Sequence, residues 1–382
     1  MSFEPFSEPI YVTRPLFADL QDLHPLLEDI WESKILTNGG PKHQELERAL
    51  CETLNVPYLS LFNNGTIALI TACQALNLSG EVITTPFTFP ATPHILTWNQ
   101  LTPVFCDIDP ITMNINASKI EALITDKTSA ILAVHVYGTP CNVEHIEDIA
   151  NRYGLKVIYD AAHAFGVEID GRGIGTFGDI SMFSFHATKL FHTAEGGCLT
   201  FNDKSLKSHI DLLKNFGIKN ESEVILPGIN GKMNEIQAAI GLMNLCHLEE
   251  ERQRRAKIID IYREELSQVD GITLLETPSN VRPSYQYFVI RIDEDKFGIS
   301  RDELHQQLKE YNVITRKYFY PLCSDYDCYK KLPSADPITL PIAHKVAQEV
   351  LALPLYGQLE LESVRTICHL IRSFSHVLLR SM

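Results

Sequence analysis

Long apolar runs are missing from this sequence. None approaches the roughly twenty residues that cross a bilayer, so no membrane span is expected. Positive charge is also short: 33 lysines and arginines stand against 48 aspartates and glutamates, a formal charge of −15. Nucleic acids and anionic membranes need a basic field, so neither is expected as a partner. There is no C-x-x-C pair and no cysteine/histidine ligand cluster. The nine cysteines are therefore expected to be buried free thiols, and no metal site is expected. Low-complexity tracts and clear internal repeats are absent, which argues against a disordered chain or a solenoid. The opening residues, MSFEPFSEPIYVTRP, lack the basic and then apolar pattern of a secretion signal, and a cytoplasmic location is the expectation.

What is present is a globular composition, 45% hydrophobic and 21% charged over 382 residues. That length exceeds one compact core, so a large domain and a smaller one are expected. Residues 16–33 space Leu16, Leu20, Leu23, Leu27 and Ile30 at helical intervals, with Pro25 expected at the helix start. Strand-like and helix-like segments then alternate: YLSLF before TIALITACQAL, EVITT before ATPHILTWN, PVFCDID, SAILAVHVYG before NVEHIEDIANRYG, KVIYDA, DISMFSF and CLTF. Runs such as AILAVHV are apolar without alternation, as strands covered on both faces are. The expected fold is α/β, with a mostly parallel seven-stranded sheet in residues 1–245. A long charged helix, the aromatic-rich SYQYFVIRI and further helices predict a smaller α+β domain over 246–382.

In such sheets ligands gather at the carboxyl ends of strands. After YLSLF, Asn63, Asn64, Gly65 and Thr66 open a helix; this is either a phosphate cradle or an ordinary capped turn. After EVITT, Phe87 and Phe89 flank Thr88, and a ring there serves either the core or a flat ligand. KVIYD ends on Asp160, a carboxylate that needs a partner if it is buried. DISMFSF leads into Ser184, His186 and Lys189, followed by Glu195, Gly196 and Gly197. A cradle, an aromatic plate, a buried acid and a lysine on successive strand ends are the groups that pyridoxal 5'-phosphate (PLP) requires.

Five stretches carry a resemblance to a known family: NNGTIAL (63–69), TPFTFPAT (85–92), VIYDAAHAFG (157–166), SFHATKLFHTAEGG (184–197) and GINGKMNEIQAAIG (228–241). Together, in this order, they resemble the fold-type I, PLP-dependent nucleotide-sugar aminotransferases of the DegT/DnrJ/EryC1/StrS family. The resemblance implies that Lys189 is the Schiff-base lysine and that Asp160 pairs with the pyridine nitrogen. It makes His163 a donor to the ring hydroxyl, Gly65, Thr66 and Ser184 phosphate contacts, and Phe89 the stacked ring. It implies that Asn230 reaches the neighbouring subunit's phosphate, hence a homodimer with shared active sites. Lys232 departs from the arginine of many relatives, and His186 acquires no role.

The implied substrates are L-glutamate and a nucleotide-linked keto sugar, with Arg316, Lys317, Tyr318 and Tyr320 as candidate sugar-side contacts. Further stretches, KILTNGGPKHQELE and TRKYFYPL among them, resemble members that aminate dTDP-4-keto-6-deoxy-D-glucose at C4. The alternatives are a 3-keto or UDP-linked sugar, a sugar dehydratase of the same family, and a regulator that kept the fold. The dehydratases carry histidine where Lys189 stands, which favours transamination.

Overall fold

Strands that are apolar on both faces need cover on both faces, and the order of elements supplies it. The computed structural model describes residues 4–375; Met1, Ser2 and Phe3 of the lead lie outside them. The seven expected strands form one sheet: β1 (Tyr58–Phe62), β2 (Glu81–Thr84), β3 (Thr102–Phe105), β4 (Thr128–Val134), β5 (Lys156–Asp160), β6 (Ile180–Ser184) and β7 (Gly197–Phe201). They lie in the order β1-β7-β6-β5-β4-β2-β3. Only β7 runs against the rest, antiparallel to both β1 and β6. The carboxyl ends of β1, β2, β5 and β6 therefore open on one edge of the sheet.

Cover comes from α1 (Leu20–Ser33), α2 (Pro41–Leu54), α3 (Gly65–Ala75), α4 (Ala91–Trp98), α5 (Val143–Tyr153), α6 (Lys204–Leu213) and α7 (Glu235–Leu266). Leu132, Ile158 and Met182 pack with α3, α4 and α6. Ile131, Ala133 and Val157, which point the other way along the same strands, pack with α5. Each of the larger side chains among these, Leu, Ile, Val or Met, contributes about 1.5–3 kcal/mol when fully buried. That alternation explains why β4 and β5 read as unbroken apolar runs.

The helix that begins the C-terminal region starts earlier than its charged stretch suggests. Asn234 caps α7 in a reciprocal box with Gln237, and the helix then runs unbroken through residue 245. Its first part packs on α2, with Ala238 and Leu248 in the same core as Leu46 and Leu50. Its second part, with Ile258, Tyr262 and Leu266, builds a C-terminal core. We propose that the two parts of the chain divide within this helix. The C-terminal sheet is antiparallel, β8 (Ile272–Leu274), β9 (Phe288–Ile292) and β10 (Val350–Leu353), with α8 (Arg301–Glu310), α9 (Pro341–Glu349) and α10 (Leu361–Ser373) around it.

Three further expectations change. Pro25 lies inside α1, not at its start; Asp19 is the cap, accepting the Gln21 N–H. The lead joins the C-terminal part, with Ile10 and Tyr11 pairing in parallel with Val313 and Ile314. The cysteines are free, as expected, but Cys246 and Cys328 are exposed and Cys51 only half-buried. Among the described residues no helix is long and apolar enough to cross a membrane.

One buried carboxylate ties α7 to α2. Gly40 caps α2 without a side chain and Pro41 follows without an N–H, so the first turn cannot cap itself. Glu235, 1% exposed, accepts the Lys42 and His43 N–H groups at 2.8 and 2.9 Å. A Cβ on Gly40 would meet this carboxylate at 2.7 Å, which is why glycine stands there. Glu235→Ala strands both donors and is expected to cost about 2–3 kcal/mol. The check is a lower urea midpoint at unchanged slope; an unchanged midpoint contradicts the capping role.

Candidate active site

Five strand ends, those of β1, β2, β4, β5 and β6, meet around a cavity of about 280 Å³. At the end of β1, Asn64 has an extended backbone and its Oδ1 accepts the Ile67 N–H at 2.8 Å, starting α3. The helix start thus presents the Gly65 and Thr66 N–H groups, which have no intrahelical acceptor, beside the Thr66 hydroxyl. The start of β7 passes close behind: a Cβ on Gly197 would lie 2.8 Å from the Gly65 backbone. Ser184, at the end of β6, lines the same corner of the cavity.

Asp160 ends β5 and is 5% exposed. Its Oδ1 accepts the Ala162 N–H at 3.1 Å and its Oδ2 accepts the Thr92 hydroxyl at 2.8 Å. Because Thr92 spends its proton on Asp160, the 2.9 Å contact between the Thr88 and Thr92 hydroxyls must be donated by Thr88. Burial raises the Asp160 pKa; the Ala162 N–H, the Thr92 hydroxyl and the charge of Lys189 oppose it. A carboxylate with two such donors still has acceptor capacity for a third.

Lys189 sits in the turn after β6, its own N–H donating to the His186 carbonyl at 2.9 Å. Its Nζ lies 5.9 Å from the centre of the Tyr287 ring. Burial lowers its pKa to about 8, against an opposing pull from Asp160. The amine is therefore half neutral near pH 8, where an ordinary lysine is almost wholly charged.

His163 takes the Tyr137 N–H on Nδ1 at 3.3 Å, which leaves the proton on Nε2. Burial, and then the Lys189 charge, hold it far below the usual histidine range. Its ring lies parallel to Phe319 at 5.9 Å and edge-on to Tyr287 at 5.0 Å. It is a neutral ring, fixed in plane, with one N–H to offer.

Of the two phenylalanines after β2, Phe87 is fully buried and belongs to the core. Phe89 lines the cavity and is 58% exposed in the protomer, a free ring face. His186 and Glu195 stand at the same cavity, with Nε2 and Oε1 3.6 Å apart. Of the sugar-side candidates only Tyr318 lines the cavity. Arg316 is bridged through its backbone to Ala352, Lys317 is paired with Asp302 at 2.6 Å, and Tyr320 lies under the Arg301 guanidinium. Asn230 is exposed and stands outside this cavity, with Oδ1 held by Lys232 at 3.0 Å.

Sequence reasoning missed Thr88, Thr92 and Tyr287. The two threonines lie inside the quoted TPFTFPAT, four residues apart, a spacing that could have signalled hydroxyls stacked on one side of a helix start. Tyr287 comes from another part of the chain, and only the fold brings it here.

The model for the DegT/DnrJ/EryC1/StrS aminotransferase family matches residues 20–372. The chain belongs to this family. A dTDP-4-amino-4,6-dideoxy-D-glucose transaminase from Escherichia coli is 51% identical over 363 residues, 95% of this chain and 98% of that one. Among solved structures, DesI in the presence of its TDP-sugar product superposes with a TM-score of 0.93 at 36% identity, covering 99% of this chain and 96% of DesI. Spr1654 from Streptococcus pneumoniae, in its PMP form, superposes with a TM-score of 0.89 at 26% identity, covering 98% and 99% of the two chains.

Family membership implies PLP, and the cavity fits it. The cofactor needs a helix start and hydroxyls for its phosphate, an anion for its ring nitrogen, a flat neighbour for its ring and an amine for its aldehyde. This aminotransferase places all four around one space. In the cofactor-free protein, acylation of Lys189 followed by mass spectrometry should show reactivity rising through a midpoint near pH 8. Asp160→Asn removes the charge that holds the ammonium, so its midpoint should fall below that of the wild type. A wild-type midpoint near the ordinary lysine value contradicts this account.

Proposed function

We propose that this aminotransferase converts dTDP-4-keto-6-deoxy-D-glucose to dTDP-4-amino-4,6-dideoxy-D-glucose, with L-glutamate as amino donor. The observation that carries the chemistry is the Lys189 amine on one cavity with the Asp160 carboxylate, itself anchored by Thr92 and Ala162. The choice of sugar follows the name of the Escherichia coli relative, which is 51% identical over nearly the whole length, and agrees with DesI having been solved with a TDP-sugar product.

PLP, when bound, supplies an aldehyde for the amine and a ring that accepts an electron pair. Gly65, Thr66 and Ser184 would hold its phosphate, Phe89 would cover the ring, and His163 would give its Nε2–H to the ring hydroxyl. Asp160 keeps the ring nitrogen protonated, and the electron demand of the ring depends on that charge. With the cofactor in place Lys189 would take the proton from the donor's α-carbon. In the half-reaction with the sugar the same amine would deliver a proton to C4, so one residue would serve both halves of a ping-pong cycle.

The second subunit enters through Asn230. Its exposure, its distance from its own cavity and the orientation imposed by Lys232, which also bonds Asn215 at 2.8 Å, suit a side chain that completes the neighbouring copy's phosphate site. Exposed Phe17, Leu20, Trp31 and Leu36 support the same reading, a homodimer with shared sites. Tyr318 remains the sugar-side candidate at the cavity, with Arg316, Lys317 and Tyr320 candidates for the nucleotide farther out. We place the enzyme in the cytoplasm and its product in O-antigen or other glycan synthesis.

Borohydride reduction of the holoenzyme should fix the cofactor on Lys189, and Lys189→Ala should bind cofactor while losing turnover by about a thousandfold or more. With glutamate and a panel of dTDP- and UDP-linked keto sugars, NMR of the product should place the new amine on C4 of the dTDP sugar. Amination at C3, or a preference for a UDP sugar, contradicts the proposed substrate.

A further inference from the structure

One residue holds the backbone on both sides of Lys189, and it comes from the C-terminal part of the chain. Gln286 lies just ahead of β9 and is 1% exposed. Its Oε1 accepts the Leu190 N–H at 2.7 Å, and its Nε2–H donates to the Thr188 carbonyl at 3.0 Å. The two bonds grip the residues immediately before and after Lys189. They also fix the orientation of the amide, because a flipped side chain would set donor against donor and acceptor against acceptor.

Gln286 is itself held in place. The Ser284 hydroxyl accepts its N–H at 3.3 Å. The carbonyl before it, on Tyr285, accepts from the Arg255 guanidinium at 3.3 Å, and that of Pro283 accepts from Arg252 at 2.7 Å. Arg255 is fully buried on α7 and paired with Glu251 at 2.6 Å, and Glu251 also accepts the Gly357 N–H at 2.8 Å. Tyr285 has φ +56°, a region uncommon for a bulky side chain. The chain leaves strand geometry at this point, and the next residue, Gln286, makes the clamp. Tyr287, the residue after it, faces the amine.

We propose that Gln286 is a positioning residue for the reaction: its amide sets the backbone of Lys189 so that one flexible amine can reach both proton-transfer positions. Arg255 and Glu251 anchor that clamp to α7. This rests on the reading that Lys189 is the reacting amine. A neutral amide suits the task because it fixes place without adding a charge beside the amine. The expected sensitivity is large, since a displacement of about 1 Å at a reacting group can cost a hundredfold in rate.

Two holoenzyme variants test it. Gln286→Met keeps the volume and loses both bonds. Gln286→Glu keeps the acceptor and regains a donor only when protonated, which burial brings toward neutral pH. Gln286→Met should lower kcat about tenfold to a hundredfold with both KM values within about threefold, and should speed hydrogen exchange at the Leu190 amide. Gln286→Glu should match Gln286→Met at high pH and approach the wild type, compared at equal pH, as the pH falls; this profile decides alone if Gln286→Met does not fold. Wild-type kcat in Gln286→Met, or a Gln286→Glu variant without recovery at low pH, overturns the proposal. Mapping the borohydride-reduced wild type separates the two readings. An adduct on Lys189 together with wild-type kcat in Gln286→Met removes the clamp alone, and an adduct elsewhere removes both.

Discussion

A carboxylate held in apolar surroundings organises this site. Asp160 ends a central strand, with Val134 and Met182 beside it in register, where an unpaired anion would be costly. The Thr92 hydroxyl, itself supported by Thr88, and the Ala162 N–H reduce that cost. The remaining correction is electrostatic: Asp160 and Lys189 each moderate the effect of burial on the other. Burial pushes the amine toward neutrality and the carboxylate toward protonation, and each charge opposes the shift of the other.

The same interaction explains why two parts of the chain converge here. The sheet supplies the acid, the amine and the phosphate corner, but it leaves the amine's flank open. Residues 284–287 close that flank, Gln286 by gripping the Lys189 backbone and Tyr287 by lying beside the side chain. Their anchor is α7, a single helix whose first part packs on α2 and whose second part carries the C-terminal core.

Much of this was legible in the sequence, for local reasons. Unbroken apolar runs mark the strands, and the chemistry lies at their ends, so Gly65, Thr66, Phe89, Asp160, His163, Ser184 and Lys189 fall on one cavity once the sheet is parallel. Long-range contacts and competing local signals were not legible. Gln286 acts 96 residues from Leu190, and no spacing rule reports that. Pro25 suggested a helix start, yet the Asp19 cap prevailed. The charged stretch of α7 hid a start marked by Asn234 and Gln237. Arg316, Lys317 and Tyr320 share a basic, aromatic stretch with Tyr318, but Asp302 occupies Lys317 and only Tyr318 lines the cavity.

If the Asp160 charge drives the chemistry that Lys189 carries out, removing that charge should slow it. The most direct measurement is the stopped-flow rate of the glutamate half-reaction in the Asp160→Asn holoenzyme, which keeps the size of the side chain and removes its charge. That rate should be lower by about a hundredfold or more. A rate within about threefold of the wild type would contradict that role for the charge.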